Sequence, residues 1–330
     1  MCPMWIDHYE TLIANLATMT NVIGCAEPPK VAPGLHCRRP YDCEFFEQCG
    51  APLPSDWVGK LPRVKKAQLD LMAAAGIASI AKIPAGFPLT ALQERIRLAH
   101  NTGATFVAND AREMLRPLGP PAFYLDFESM MPGVPVYSGT GPYQHIPFLF
   151  SLHRHDGALL SHSDFIAAPG EDPRRAFAEE LIRQTSSAEG PIVVYSHYEK
   201  RIISELANAM PDLAPDLEKI IARLQDLLCV LRKTVYLPAF NGCYTIKDVG
   251  PVFARVDYAD LAIRDGSKAA AVYQGLVERP TTPPADAASA LSGLRAYCER
   301  DTLAMVRVHD AVLELTGNRL HPNAPVTMLV

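Results

Sequence analysis

The chain has 330 residues, 48% of them hydrophobic and 20% charged, with a formal net charge of −5. That length supports a sizeable core and more than one unit. The negative balance argues against a protein that coats nucleic acid non-specifically, but an enzyme holding a strand end in a small cleft stays open. No run of about eighteen apolar residues marks a membrane span, and the Met1–Asp7 start has neither a basic nor an apolar leader region. Eight scattered cysteines fit a reducing cytoplasm better than a disulfide scaffold. The expectation is a cytoplasmic protein without a membrane partner.

Residues 6–23 read as an amphipathic helix closed by Gly24, and Pro28, Pro29, Pro33 and Gly34 as a connector. Cys37, Cys43 and Cys49 then recur at a spacing of six. Thiolates this close can wrap a zinc ion or an iron–sulfur cluster, with Cys25 or Cys2 as a fourth ligand; the alternative is three unrelated reduced cysteines. Residues 60–115 look helical. A helix over Lys65–Ala75 ends at Gly76, a turn-and-helix runs from Gly76 to Pro84, an amphipathic helix covers Leu89–Asn101, and a turn or two follows over Ala111–Leu118. Lys60, Arg63, Lys65 and Lys66 could meet phosphate, but read foremost as a solvated helix face.

The composition changes at Gly119-Pro120-Pro121. Strand signals follow at Phe123–Glu128, Ile146–His153 and Leu159–Ile166, with a Pro/Gly loop over 131–141. A helix over Asp172–Thr185 is expected, with Asp172 as its N-cap and Pro173 in its first turn. Pro191–His197 reads as a buried strand running into a helix over Glu199–Met210. A second helix spans Leu213–Leu228. Residues 229–280 look irregular with short helices, and a last long helix runs from near Asp286 to about Leu315. These elements make a mixed α/β layer fold.

The chemistry begins in the strand Phe123–Glu128. At period 2, Phe123, Leu125 and Phe127 point one way, while Tyr124, Asp126 and Glu128 point the other. Two carboxylates thus share one face of a strand that is otherwise apolar or aromatic. Burying them costs several kcal/mol unless positive charge compensates, and the nearest basic residue in sequence is Arg116. A divalent metal held by oxygen ligands is the simplest partner. Glu199, after the 191–197 strand, is a candidate further ligand, or else an ordinary first-turn glutamate. Tyr297 and Asp301 stand at i and i+4 on the last helix and share a face; they either complete the site or tie the helix down by a hydrogen bond.

Asp-x-Glu on a first strand, an acidic residue at a later strand end and Tyr-x-x-x-Asp on a final helix occur here in that order. The region from about 120 to 316 resembles the DnaQ-like 3′–5′ exonucleases of the RNase H-like fold. More closely, Tyr124–Glu128, Gly141–Phe148, Thr245–Val249 and Tyr297–Thr302 are similar to an uncharacterised bacterial family in which such a domain follows a RecB-type nuclease module. The segment Gly34 through Cys49 is similar to the end of those modules, where cysteines hold an iron–sulfur cluster. The resemblance implies an RNase H-like mixed sheet flanked by helices and preceded by a small helical, cysteine-containing region. It divides the chain into a RecB-type remnant (1–59), a helical connector (60–118), an exonuclease-like domain (119–317) and a tail (318–330). The 36 residues before Cys37 carry no Asp…Glu-x-Lys pattern, so the RecB-type core is expected to be absent.

The resemblance further implies a two-metal site using Mg²⁺ or Mn²⁺, with ions roughly 3.5–4 Å apart. Asp126 bridges both ions, Glu128 and Asp301 hold the first, and Glu199 serves the second directly or through water. Tyr297 orients the attacking water or the phosphate. Glu199 departs from the usual Asp of the middle motif, and Asp226 is the fallback. Tyr143 and Phe148 could stack on a base but read foremost as buried strand packing, and His197, Lys200 and Lys247 could touch phosphate but read foremost as surface or core-edge residues. The expected partners are single-stranded nucleic acid or 3′ ends, with a nuclease or helicase partner. The rival is a non-catalytic module of the same fold that binds strand ends or a protein.

Overall fold

The computed structural model describes residues 4–37, 43–50, 52–254 and 256–317. Its N-terminal part is helical: α1 (Met4–Ile23), α2 (Phe46–Gly50), α3 (Lys66–Ala74) and α4 (Ala91–Thr102), then a short strand β1 (Phe106–Val107) and α5 (Ala111–Leu115). Local chemistry sets these limits. Thr90 caps α4, accepting from Gln93 N while the Gln93 side chain accepts from Thr90 N, and Gly103 ends the helix at φ 69°.

The second part carries β2 (Ala122–Met130), β3 (Ile146–His155), β4 (Leu160–Ile166), α6 (Arg174–Thr185), β5 (Ile192–Val194), α7 (Tyr198–Ala209), α8 (Ala214–Arg223), β6 (Leu224–Asp226), α9 (Leu227–Thr234) and β7 (Val235–Tyr236). It ends with α10 (Ile246–Ala254), α11 (Gly266–Glu278) and α12 (Pro284–Leu315). Five strands form one mixed sheet in the order β4-β3-β2-β5-β6. The β4–β3 and β3–β2 pairs are antiparallel; the β2–β5 and β5–β6 pairs are parallel. β2 is therefore the central strand.

Its alternation is realised in three dimensions. Phe123, Leu125 and Phe127 pack with Phe177 and Leu181 of α6, Ile202, Ile203 and Leu206 of α7, and Leu217 and Ile220 of α8. Tyr124 faces the other way, among Met305, Val306 and Val308 of α12. That second cluster also contains Trp57, Ile80, Ile96 and Leu115. The segment expected to be a connector thus shares a core with α12. The small strand β1 pairs with β7, which ties the two parts together a second time.

Four expectations need correction. The helix over Leu213–Leu228 is two helices interrupted by β6. Leucine and isoleucine recur at helical spacing across the break, so periodicity cannot mark it. Pairing does: Leu224, Gln225 and Asp226 lie opposite Ile192, Val193 and Val194. Asp226 then starts α9 as its N-cap, accepting from Cys229 N at 2.8 Å. The 191–197 strand is only Ile192–Val194, because the chain turns at Ser196, whose hydroxyl accepts from Tyr198 N. In α6, Pro173 takes the cap position and Asp172 instead holds the backbone and guanidinium of Arg174. Finally, residues 229–280 include the 13-residue α11, capped by Asp265.

Phe148, considered as a base-stacking residue, is a core residue. It is fully buried and lies flat on Tyr273, with ring centroids 3.8 Å apart. Phe148→Ala is expected to cost about 3–5 kcal/mol in urea unfolding. A variant that unfolds like wild type would return this ring to a surface role.

Candidate functional site

Asp126 and Glu128 project from β2 toward α12. The β2–β3 register shifts between Glu128 and Ser129, a bulge that re-aims the strand at the end of the carboxylate pair. Glu128 is buried, while Asp126 keeps partial solvent contact. Above them α12 presents Tyr297, Cys298, Asp301 and Thr302, all buried and on one stripe by their spacing. The Cys298 thiol donates to Asp126 Oδ2 at 3.5 Å. Asp126, Glu128 and Cys298 bring ligand-type atoms within 4.8 Å of one another. On the other side of the helix turn, Tyr258 donates its hydroxyl to Asp301 Oδ1.

Glu199, in the first turn of α7, is 3% exposed, and its Oε2 has no hydrogen-bond partner. An ordinary first-turn glutamate faces water; this one faces inward. Burial, with Asp226 adding repulsion, pushes its carboxyl up to about 8. Burial and then repulsion from Asp301, Glu128 and Glu199 raise Asp126 well above the carboxylate range. Burial and Asp301 raise Glu128, with Lys247 opposing and Glu199 adding to the rise. Asp301 is raised by burial, against the hydrogen bond from Tyr258 and the charge of Lys247. The four predicted carboxylates therefore act on one another as one cluster.

Lys247 supplies positive charge to this cluster. Its ammonium donates to Tyr297 Oη at 3.0 Å and to the Arg264 carbonyl at 2.7 Å, and lies over the Tyr297 and Tyr258 rings. Burial, then Asp301, Glu128 and Asp126, push the Tyr297 phenol far up, so it stays neutral and acts as a donor. The Cys298 thiol is likewise pushed up, by burial and then by Asp126, so in the metal-free protein it is a donor to a carboxylate. The four carboxylates offer oxygen donors short of positive charge, among them a buried carboxylate oxygen with no partner. Such a set fits Mg²⁺ or Mn²⁺.

The remaining expected residues lie elsewhere. Asp226 is occupied as the α9 cap; it lies near enough to Glu199 to raise it but does not figure among the groups acting on Asp126. His197 and Lys200 are exposed. Tyr143 is 72% exposed, in a left-handed turn with φ 58°. Cys25 and Cys49 are exposed, Cys43 is half-buried and Cys37 is buried. Among the described residues, no three of these sulfurs converge within 4.8 Å, and Cys2 lies outside the described residues. Sequence reasoning passed over Tyr258, which reaches Asp301 from a loop without periodicity, and the donor role of Cys298. It also missed a polar group beside the bulge, where Ser129 Oγ meets His145 Nδ1 at 2.8 Å and Tyr198 Oη at 2.6 Å, while Arg201 donates to His145 Nε2.

The raised carboxyl of Glu199 has a consequence for the metal-free protein. Between an ordinary glutamate's 4.5 and about 8, the folded state holds a proton that the unfolded state has lost. Stability is thus fully present below about pH 4.5 and falls as pH rises toward about 8. Melting curves in EDTA should show this decline. Glu199→Gln should lessen it, the raised Asp126, Glu128 and Asp301 still contributing, and Mg²⁺ or Mn²⁺ at the alkaline end should restore stability. An EDTA melting temperature that rises across this window would contradict the assigned burial of Glu199.

Among the described residues no helix is long and apolar enough to cross a membrane. Searches among curated proteins and among solved structures gave no match. Residues 123–245 match a family model described as a domain of unknown function (DUF2779), a span that includes Asp126, Glu128 and Glu199 and ends before Lys247, Tyr297 and Asp301.

Proposed function

We propose that the chain is a metal-dependent nuclease of RNase H-like fold, acting as a 3′–5′ exonuclease on DNA or RNA. The observation that carries this reading is that Asp126 and Glu128 stand side by side, with Asp301 and Glu199 near enough to raise both, in surroundings short of positive charge, and that Glu199 Oε2 is unpartnered. The five-stranded mixed sheet, with the Asp-x-Glu strand at its centre and a final helix carrying Tyr297 and Asp301, supports the same reading.

Asp126, Glu128, Glu199 and Asp301 would hold divalent cations. When bound, such ions lower the pKa of water and stabilise the charge of a leaving oxygen. The chain's own residues do the rest. Asp126 and Glu128 stand on the central strand, held by the opposite-face core of Phe123, Leu125 and Phe127. Tyr258 and Cys298 donate to Asp301 and Asp126 and fix their orientations. Tyr297, neutral and fed by Lys247, presents a hydroxyl that orients a water or a phosphate oxygen.

One observation favours the non-catalytic reading, in which the fold binds strand ends or a partner protein. Lys247 offsets part of the carboxylate charge without any ion. Metal titration separates the two, because a module relying on Lys247 alone should show no paired-ion binding.

The direct test uses 5′-labelled single-stranded DNA and RNA with Mn²⁺ or Mg²⁺. A ladder shortened from the 3′ end is expected, abolished in Asp126→Ala and Asp301→Ala and slowed about 10–100-fold in Tyr258→Phe. No cleavage of any substrate while metal binds at the carboxylates would overturn the reading.

A further inference from the structure

A second site is built where the N-terminal helical part meets the sheet domain. A cavity of about 440 Å³ opens between them, lined by Lys60 and Arg63 from one side and by Tyr195, Arg232, Tyr244 and Thr245 from the other. None of its lining residues is acidic, although the chain as a whole carries a net charge of −5. Lys60, Arg63 and Arg232 make no ion pair with any described carboxylate. Arg232 Nε is shielded from water and has no hydrogen-bond partner. Arg232 lines the cavity, and among the described residues its guanidinium has no carboxylate to compensate it.

The cavity is specific to this fold. Its wall needs a close approach of the two parts at Gly242, where φ is 84° and a Cβ would meet the Lys60 backbone at 3.3 Å. Arg95 pins the backbone behind Arg232 by donating to the Arg232 and Lys233 carbonyls. Tyr195 is held by its hydroxyl bond to the Tyr244 carbonyl at 2.7 Å.

Two of the cavity's lining residues are close in sequence to the carboxylate cluster. Thr245 lines it, and Lys247, two residues on and so within about 7 Å along the backbone, reaches Tyr297. Tyr195 lines it four residues ahead of Glu199.

We infer that this cavity takes a backbone phosphate of the bound nucleic-acid strand, upstream of the scissile bond, so that the N-terminal helical part belongs to the substrate site. The inference rests on the nuclease reading above. Fork-like guanidinium donors and an ammonium around a cavity without acid suit a phosphodiester, and Tyr195 and Tyr244 supply flat apolar surface beside it.

The test is fluorescence anisotropy of a short 5′-labelled oligothymidylate in EDTA, repeated between about 50 and 200 mM salt, alongside the cleavage assay. Arg63 is exposed, so Arg63→Glu should fold normally; Lys66→Glu, paired with Asp70 outside the cavity, carries the same charge change as a control. Arg63→Glu should weaken binding about tenfold and lower the salt slope by about 1, while Lys66→Glu shifts it less than about twofold. Arg232→Gln should weaken binding likewise, with an unchanged circular dichroism spectrum. Equal effects of Arg63→Glu and Lys66→Glu, or none from either, would overturn the inference and leave the nuclease reading standing if Asp126→Ala still abolishes cleavage. Wild type that binds inorganic phosphate in an Arg63-dependent way but no oligonucleotide would assign the cavity to a free anion and overturn the strand assignment. Wild type that neither binds nor cuts a strand would overturn both.

Discussion

Repulsion among buried carboxylates is the constraint around which this molecule is arranged. Asp126, Glu128, Glu199 and Asp301 come from one strand and two helices, and each is shifted upward by burial before any neighbour is counted. Left alone, such a group would push its elements apart or take up protons. The fold resists through rigidity on the opposite face of the sheet. The aromatic contacts of Phe127 with Phe150 and Phe177 lock β2 from below, so its upper face can be electrostatically unfavourable without moving.

The donors around the cluster are neutral or singly charged, and each addresses one carboxylate or its neighbour. Tyr258 serves Asp301, Cys298 serves Asp126, and Lys247 serves Tyr297. Glu199 Oε2 is left without a partner. Together these donors fix orientation without fully neutralising charge, which is the arrangement expected of a site whose electrostatic balance is completed by a ligand. A purely structural polar cluster would pair its acids with guanidinium groups, as this chain does at its surface in Arg175–Asp212 and Arg300–Asp260.

The N-terminal helical part depends on the same architecture. Its apolar residues, Trp57, Ile80 and Ile96 among them, complete the core behind α12 and α9. The β1–β7 pair and the close approach at Gly242 hold it there. The basic residues expected on a solvated face divide accordingly: Lys66 pairs with Asp70 on the surface, while Lys60 and Arg63 turn to a cavity shared with Arg232.

What the sequence determined is local and periodic. Alternation in Phe123–Glu128 set both faces of β2, i,i+4 spacing put Tyr297 and Asp301 on one stripe, and cap chemistry at Thr90 and Gly103 bounded α4. Each follows from the geometry of one element, and so was readable without neighbours. Tertiary structure alone decided the rest. The strand β6 exists because β5 offers an unpaired edge, although its residues carry a helical pattern. Tyr258 reaches Asp301 across 43 positions, and Arg63 meets Arg232 only after the two parts dock. Glu199 turned inward rather than to water for the same reason. Pairing, burial and unpaired charge are properties of what surrounds a residue, and the order of residues along a chain does not encode those surroundings position by position.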